Sequence, residues 1–355
     1  MKIPTDLVAF AVALLGSLLL TIPIRHLAIR FGMVDQPGPR KVHAKPMPLL
    51  GGMAIYLGFV PAVLFAFHNG PTQQIVGILG GATLLAFVGF LDDGGLLHHQ
   101  MKLFIGMPVA SLFLIASGIR AGIVTAFLPG PAGSVLDGCL TAFWVVGITA
   151  SFSILDHMDG LCAGMAAIAA IFFGFTANFW GQTMVCTLAI ATFGAALGFL
   201  WWNFNPAKIF MGDGGAMLLG FLMATLALKL RPPTGDRFPA SWMVPVLILA
   251  VPIFDTALVS ISRSRRGLLP FASPGKDHCA HRLSNLGLGH RRAVLAMYAA
   301  AAVAGALGYL AARLPASAAY AIFAVAVVAA IFSVLFFEGA PYERQEKIVK
   351  SSAAH

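Results

Sequence analysis

The sequence predicts an all-α polytopic membrane protein with about eleven transmembrane helices. These form one helical domain, residues 1–337, followed by a short tail, 338–355. Three observations carry that expectation. Mean hydropathy is +0.86. Charged residues are 10% of the 355, against about 25% in soluble domains. Apolar, charge-free runs recur, each approaching the roughly 17–25 residues that cross about 30 Å of hydrocarbon.

In chain order the spans are expected at 7–24, 49–67, 74–91, 103–119, 138–155, 161–179, 184–202, 214–228, 242–262, 293–312 and 316–337. The first has no basic flank before it and no small-residue cleavage site after it, so it reads as a retained span and not a signal peptide. The eighth is the shortest. Many spans carry Gly or Ala at close spacing, which permits tight helix packing in lipid. Cys139, Cys162, Cys186 and Cys279 are scattered singly and suggest neither a disulfide framework nor a zinc site. No internal repeat is evident.

The formal charge is +9. The basic residues sit in short loops between apolar runs, which fits membrane orientation and anionic ligands and argues against nucleic acid. Of the 23 Lys and Arg, six (Lys2, Arg120, Lys229, Arg231, Arg237 and Arg313) fall before the first span or in loops after even-numbered spans. The others follow odd-numbered spans or lie in the tail. The positive-inside rule then places the N-terminus outside and the C-terminus in the cytoplasm. The acidic clusters obey the same division, although Lys and Arg alone set it. Asp92 and Asp93 follow span 3, Asp156 and Asp159 follow span 5, and Asp213 follows span 7.

Adjacent carboxylates such as Asp92 and Asp93 ionise together cheaply only beside a cation, because like charges raise each other's pKa. Lys102 could reach them across a bend. A divalent metal is the sharper expectation, since magnesium takes one or two carboxylates plus phosphates and waters. A solvated helix end is the bland alternative. In "SILDHMDGLCAG", Asp156 and Asp159 share a face if helical, and Asp159 also suits a helix N-cap. "NFNPAKIFMGDGGAMLLG" brackets Asp213 with Pro206, Gly212, Gly214 and Gly215. Asp213 could cap the following helix, whose N–H groups could receive an anion, and Lys208 adds a donor for phosphate.

Two basic loops complete the set. "DQPGPRKVHAKPMPLLGG" carries Arg40, Lys41, His43 and Lys45, and "SRSRRGLLPFASPGKDHCAHRLSNLG" carries Arg263, Arg265, Arg266, Lys276, His278, His281 and Arg282. Orientation accounts for most of these charges. It does not account for His278 and His281, which could bind phosphate, move a proton or ligate a metal. Asp255 lies inside span 9, where an unpaired acid is expensive and needs a partner or a role. Aspartates for a metal, basic groups for phosphates and one membrane face together fit phosphoryl transfer from a cytoplasmic donor to a lipid acceptor.

At these residues the chain resembles the polyprenyl-phosphate N-acetylhexosamine-1-phosphate transferases, from about Asp35 to Leu288. "DQPGPRKVHAKPMPLLGG" is similar to the family's first cytoplasmic motif. Asp92, Asp93 and Lys102 match its D-D-x-x-x-L-x-x-x-x-K pattern, and "LDHMDGLCAG" its N-L-x-D-x-x-D-G-L-A-A-G segment. "NFNPAKIFMGDGGAMLLG", with Asn203, Lys208 and Asp213, is the most specific match, and "DHCAHRL" resembles a variant of the His motif.

The resemblance implies magnesium-dependent transfer (manganese being admissible) of a sugar 1-phosphate from a UDP-sugar to undecaprenyl phosphate. UMP is released, and a lipid-linked envelope glycan begins. It also implies a site on the cytoplasmic face of a bacterial inner membrane, and it admits a homodimer. By position, Asp213 would hold magnesium, Asp92 and Asp93 would orient the lipid phosphate and help hold the metal, and Asp156 and Asp159 would engage the donor or the metal shell. The substrate side would be lined by Lys102, Asn203, Lys208, His278, His281, Arg282, Arg40, Lys41, His43 and Lys45.

Three departures bear on the sugar: Ser153 for the usual Asn, Leu49 for the usual Arg, and Cys279 and Ala280 in a thinned His loop. Without an H-H-H run the chain is expected on the glycan-initiating branch, with UDP-N-acetylglucosamine as donor, ahead of a phospho-N-acetylmuramoyl-pentapeptide transferase-like step. A secondary transporter would place its ionisable groups near the bilayer midplane, as only Asp255 is here.

Overall fold

The computed structural model describes residues 4–37, 46–70, 72–97, 99–232, 240–269 and 275–340. Arg40, Lys41, His43 and Lys45 lie outside the described residues.

The chain folds as a helical bundle. Its elements are α1 (Thr5–Arg30), α2 (Gly51–Ala66), α3 (Gln73–Asp93) and the short α4 (His99–Met101), which runs through a π-helical turn (Lys102–Gly106) into α5 (Met107–Ala116). There follow α6 (Val124–Phe127), α7 (Pro131–Leu155), α8 (Leu161–Phe179), α9 (Thr183–Asn203) and α10 (Gly212–Lys229). The last are α11 (Met243–Ile248), α12 (Ala250–Arg265), α13 (Cys279–Leu283), α14 (Gly289–Arg313) and α15 (Ala316–Gly339). Each apolar stretch singled out in the sequence is helical. Among the described residues, seven helical stretches are long and apolar enough to cross a bilayer, while α2 and the Lys102–Ala116 stretch are apolar but shorter. The chain is a multi-pass membrane protein.

The ninth stretch, expected as one helix over 242–262, is broken at Leu249 into α11 and α12. Pro252 accounts for the break. It has no N–H to offer the carbonyl four residues back, and its ring crowds that carbonyl.

The shortest predicted span, α10, is the most enclosed, with every residue from Gly214 to Leu228 buried. It packs against α7, α3, α2, α8 and α9. Glycines permit this approach. A Cβ on Gly89 of α3 would lie 2.1 Å from the Gly214 Cα, and one on Gly52 of α2 would lie 2.3 Å from the Gly215 nitrogen. Backbones that touch in this way need small residues on both sides. The contact draws the C-terminal end of α3, with its two aspartates, onto the N-terminal end of α10.

The same end is stitched by loops. Strands β1 (Val34–Asp35) and β2 (Met47–Pro48) pair antiparallel, Val34 opposite Pro48. Backbone bonds then join this loop to the one entering α10: Phe210 N to Pro48 O at 2.8 Å, Gly51 N to Phe210 O at 3.0 Å and Gly52 N to Met211 O at 2.8 Å.

Gly212, at the start of α10, has φ +74° and a Cβ there would sit 2.3 Å from an Asp93 carboxylate oxygen. Gly212→Ala is expected to destabilise the fold by about 1–3 kcal/mol, from the left-handed backbone alone, and to push Asp93 aside. A thermal melt in detergent reads the first effect and transfer activity the second.

Candidate active site

At that end of the bundle, the side chains of Asp92 and Asp93 diverge. Asp93 accepts from the backbone nitrogens of Asp213 at 2.9 Å and Gly214 at 3.4 Å. It therefore caps α10 from outside that helix, satisfying N–H groups that have no intrahelical partner. Asp213, which the sequence also allows as that cap, turns its carboxylate to Lys102 and Ser153 instead.

Asp92 accepts from Lys102 Nζ at 2.9 Å, and the same ammonium donates to Asp213 at 2.5 Å. The bend after α3 that the spacing required is thus present. Ser153, at the end of α7, donates to the other Asp213 oxygen at 3.0 Å. Of the two carboxylates on Lys102, Asp213 is the more exposed, at 31% against 10% for Asp92.

Asp156 ends α7 and Asp159 closes the following turn. Burial pushes the Asp156 carboxyl up to about 8, and the charges of Asp213, Asp93 and Asp159 push the same way. Asp159 does not cap α8. It accepts from Asn205 Nδ2 at 3.1 Å and from Ala207 N at 3.0 Å. Asn203 is buried, accepting from Gly160 N and donating to Ile209 O, both at 3.0 Å. Tyr298 of α14 donates to the Gly160 carbonyl. The aspartate turn and the Asn203–Asp213 loop are thus one hydrogen-bonded unit. Lys208 is exposed beside them, its ammonium 5.0 Å from the Trp202 ring centre.

The histidine loop closes another side. His278 Nδ1 donates to Asp255 at 2.8 Å, and Cys279 N donates to the same carboxylate at 2.7 Å. Asp255 thus has the partner its position demanded. His157, between the two turn aspartates, stacks on His278 at 4.2 Å and lies 4.8 Å from His281, ring centre to ring centre. Burial, then the neighbouring His278, keeps the His157 imidazole well below its usual pKa, hence neutral. In the sequence, the one signal for His157 is its place between two candidate aspartates.

Arg282, expected on the substrate side, is fully buried. It donates to Asp277 O at 2.7 Å, Phe337 O at 2.6 Å, Glu338 at 3.0 Å and Ser262 at 3.0 Å, tying the loop to α12 and α15. Asp277 beside it accepts from Arg263 at 2.8 and 3.0 Å and from Arg266 at 2.6 Å.

Burial opposes the charge on Asp277, but the two guanidinium groups, Arg263 first, outweigh it and hold the carboxyl at about 2. A lowered pKa stabilises the fold above the ordinary value of 3.8, and that stability is lost as pH falls from there to about 2. Asp277→Asn leaves buried guanidinium charge uncompensated and is expected to cost about 3–5 kcal/mol. Melts of wild type and variant at neutral pH check this, and between pH 4 and pH 2 the wild type should lose more stability than the variant.

The donors at the first cluster are all oxygens, the chemistry that suits magnesium. Asp92 and Asp213 already converge on one cation, the Lys102 ammonium. The Asp156 carboxyl, raised first by its burial, also feels the negative charges of Asp213, Asp93 and Asp159. Asp92 and Asp213 are the pair that would hold a divalent cation.

The pattern described as Glycosyl transferase family 4 matches residues 75–231. The chain is 36% identical over 293 residues to the probable undecaprenyl-phosphate N-acetylglucosaminyl 1-phosphate transferase of Bacillus subtilis strain 168, covering 82% of this chain and 80% of that one. The chain belongs to this family. A second member, the decaprenyl-phosphate N-acetylglucosaminephosphotransferase of Mycolicibacterium smegmatis, is 34% identical over 78% of this chain and 74% of its own. The undecaprenyl-phosphate alpha-N-acetylglucosaminyl 1-phosphate transferase of Escherichia coli K12 is 30% identical over 81% and 78%. Family membership makes the chain a membrane-bound transferase. The matched region, 75–231, includes every aspartate from Asp92 to Asp213 described above.

Proposed function

We propose that this transferase moves N-acetylglucosamine 1-phosphate from UDP-N-acetylglucosamine to undecaprenyl phosphate, releasing UMP and beginning a lipid-linked envelope glycan. The observation that carries this reading is the convergence of Asp92 and Asp213 on one cation position beside the glycine-lined start of α10. The names of the three relatives support the sugar and the lipid class.

In this reading a lipid phosphate oxygen attacks the phosphorus next to the sugar. The bond from that phosphorus to the bridging oxygen breaks, and the electron pair leaves with UMP. A lipid monophosphate, with a second pKa near 6 like a phosphoserine, is already largely dianionic at neutral pH. No strong base is needed; the chain must position two anions and offset their charge. Asp213 and Asp92 would hold a magnesium ion, which when bound would supply charge neutralisation. Lys102 approaches the phosphates as a point charge while keeping Asp92 and Asp213 in register. The Asp159 turn and its Asn203–Ile209 bonds set the donor-side wall. Lys208 and His281 supply further groups for phosphate or sugar, whereas His278, expected among them, is buried against Asp255.

The same reading places about eleven spans in the bacterial inner membrane, with the N-terminus periplasmic and the site cytoplasmic, as the Lys and Arg distribution favours. A transporter gains no support, because Asp255, the one deeper acid considered, is paired with His278 near the same cluster.

The test is an assay of the purified protein with undecaprenyl phosphate and a panel of radiolabelled UDP-sugars, with magnesium or with chelator. Lipid-linked label from UDP-N-acetylglucosamine, lost on chelation, is expected. Label from no sugar, or label indifferent to chelator, overturns the reading.

A further inference from the structure

His157, Asp255 and His278 form a second donor cluster whose chemistry differs from that of the oxygen site. A carboxylate only accepts, so the His278 Nδ1 facing Asp255 at 2.8 Å carries hydrogen. His157 Nδ1 lies 3.1 Å from the Ile154 carbonyl, which also only accepts, so this nitrogen too is protonated. In a neutral imidazole the other nitrogen is then bare. That atom, His157 Nε2, is buried and has no hydrogen-bond partner among the described residues. Asp255 is 1% exposed and His278 3% exposed, so little water reaches either side chain. An unsatisfied lone pair, a second imidazole and a buried carboxylate therefore share one small space.

We propose that His157, Asp255 and His278 bind a zinc-class transition-metal ion. Each offers one donor atom, and these atoms lie within 4.8 Å of one another. Tetrahedral zinc with nitrogen and oxygen donors at about 2.0–2.2 Å holds them about 3.3–3.5 Å apart. The cluster must therefore close by little more than an ångström at its widest. His157 supplies that movement. The ion lies in the plane of each imidazole it binds, so the 26° stack on His278 opens as His157 turns away from Ile154.

Two imidazoles and one carboxylate, with a fourth position for water, select zinc-class ions, whereas the all-oxygen cluster suits magnesium. Where the ion takes a donor atom that carried hydrogen, that proton leaves to solvent and the negative charge of Asp255 is neutralised. Because His157 sits between Asp156 and Asp159, the ion clamps the aspartate turn to α12 and to the histidine loop. None of this depends on the sugar or the lipid acceptor, and the test uses neither.

The experiment takes the full chain in detergent, free of any affinity tag, in excess magnesium. Cobalt titration is expected to give one equivalent of bound ion with the visible bands of four-coordinate cobalt, displaced by zinc. His157→Asn is expected to weaken cobalt binding at least tenfold and to abolish any zinc-induced rise in Tm. Zinc-edge X-ray absorption on the wild type reads the ligands without a variant, and two imidazoles with oxygen are expected. No retained ion, an all-oxygen shell, or cobalt affinity unchanged in His157→Asn overturns the proposal.

Discussion

Asp213→Asn is expected to lower transfer by roughly a hundred- to a thousandfold, the loss typical when a charged or polar group aimed at developing charge is removed. The fold should remain. The N-terminal N–H groups of α10 are held by Asp93, so the cap survives the substitution. The amide keeps an acceptor for Ser153 but loses the charge that binds Lys102 and, in the proposed function, magnesium. Initial rates over a magnesium series, beside a melt in detergent, separate the two effects. A variant with an unchanged melt, a collapsed rate and a raised magnesium requirement fits a metal ligand. Near-wild-type rates at ordinary magnesium would remove Asp213 from that role.

Much of this architecture was legible in one dimension, for identifiable reasons. Hydrocarbon thickness sets the length of an apolar run, so the stretches that became α1, α3, α7, α8, α9, α14 and α15 could be read from hydropathy. The separation of Lys102 from Asp92 demanded a bend, and the π-helical turn beginning at Lys102 lies just beyond it. Pro252 carried the signal for the break between α11 and α12, but the hydropathy of the stretch concealed it.

The unread parts depend on contacts between distant segments. The cap from Asp93 to Asp213 joins residues 120 apart in sequence, and nothing local distinguishes Asp93 from Asp92. Asp255 announced its need for a partner, but His278, 23 residues on, was one of several candidates. Arg282 looked like one more loop charge until its burial against Ser262, Phe337 and Glu338 became visible. Hydropathy also understates α10. A helix enclosed by protein can begin with Gly-Asp-Gly-Gly, since its neighbours and not lipid face those residues.

The two adjacent aspartates should separate cleanly in experiment, because the structure gives them different partners. Asp93→Ala removes the acceptor for two backbone N–H groups at a buried helix start, and about 1–2 kcal/mol of stability should go with it. Transfer should fall as well, because the start of α10 carries Asp213. Asp93→Asn retains one acceptor oxygen and should recover part of both losses. Asp92 makes no such backbone bond among the described residues; its partner is Lys102, which also holds Asp213. Asp92→Asn should therefore leave the melt unchanged or slightly raised, because it removes one charge from a crowded acidic cluster. Its rate should still fall by about a hundredfold or more, through loss of a charge that orients Lys102 and the metal. The reverse pattern, a destabilised Asp92→Asn beside a stable but inactive Asp93→Ala, would mean that Asp93 faces the phosphates and Asp92 holds the helix.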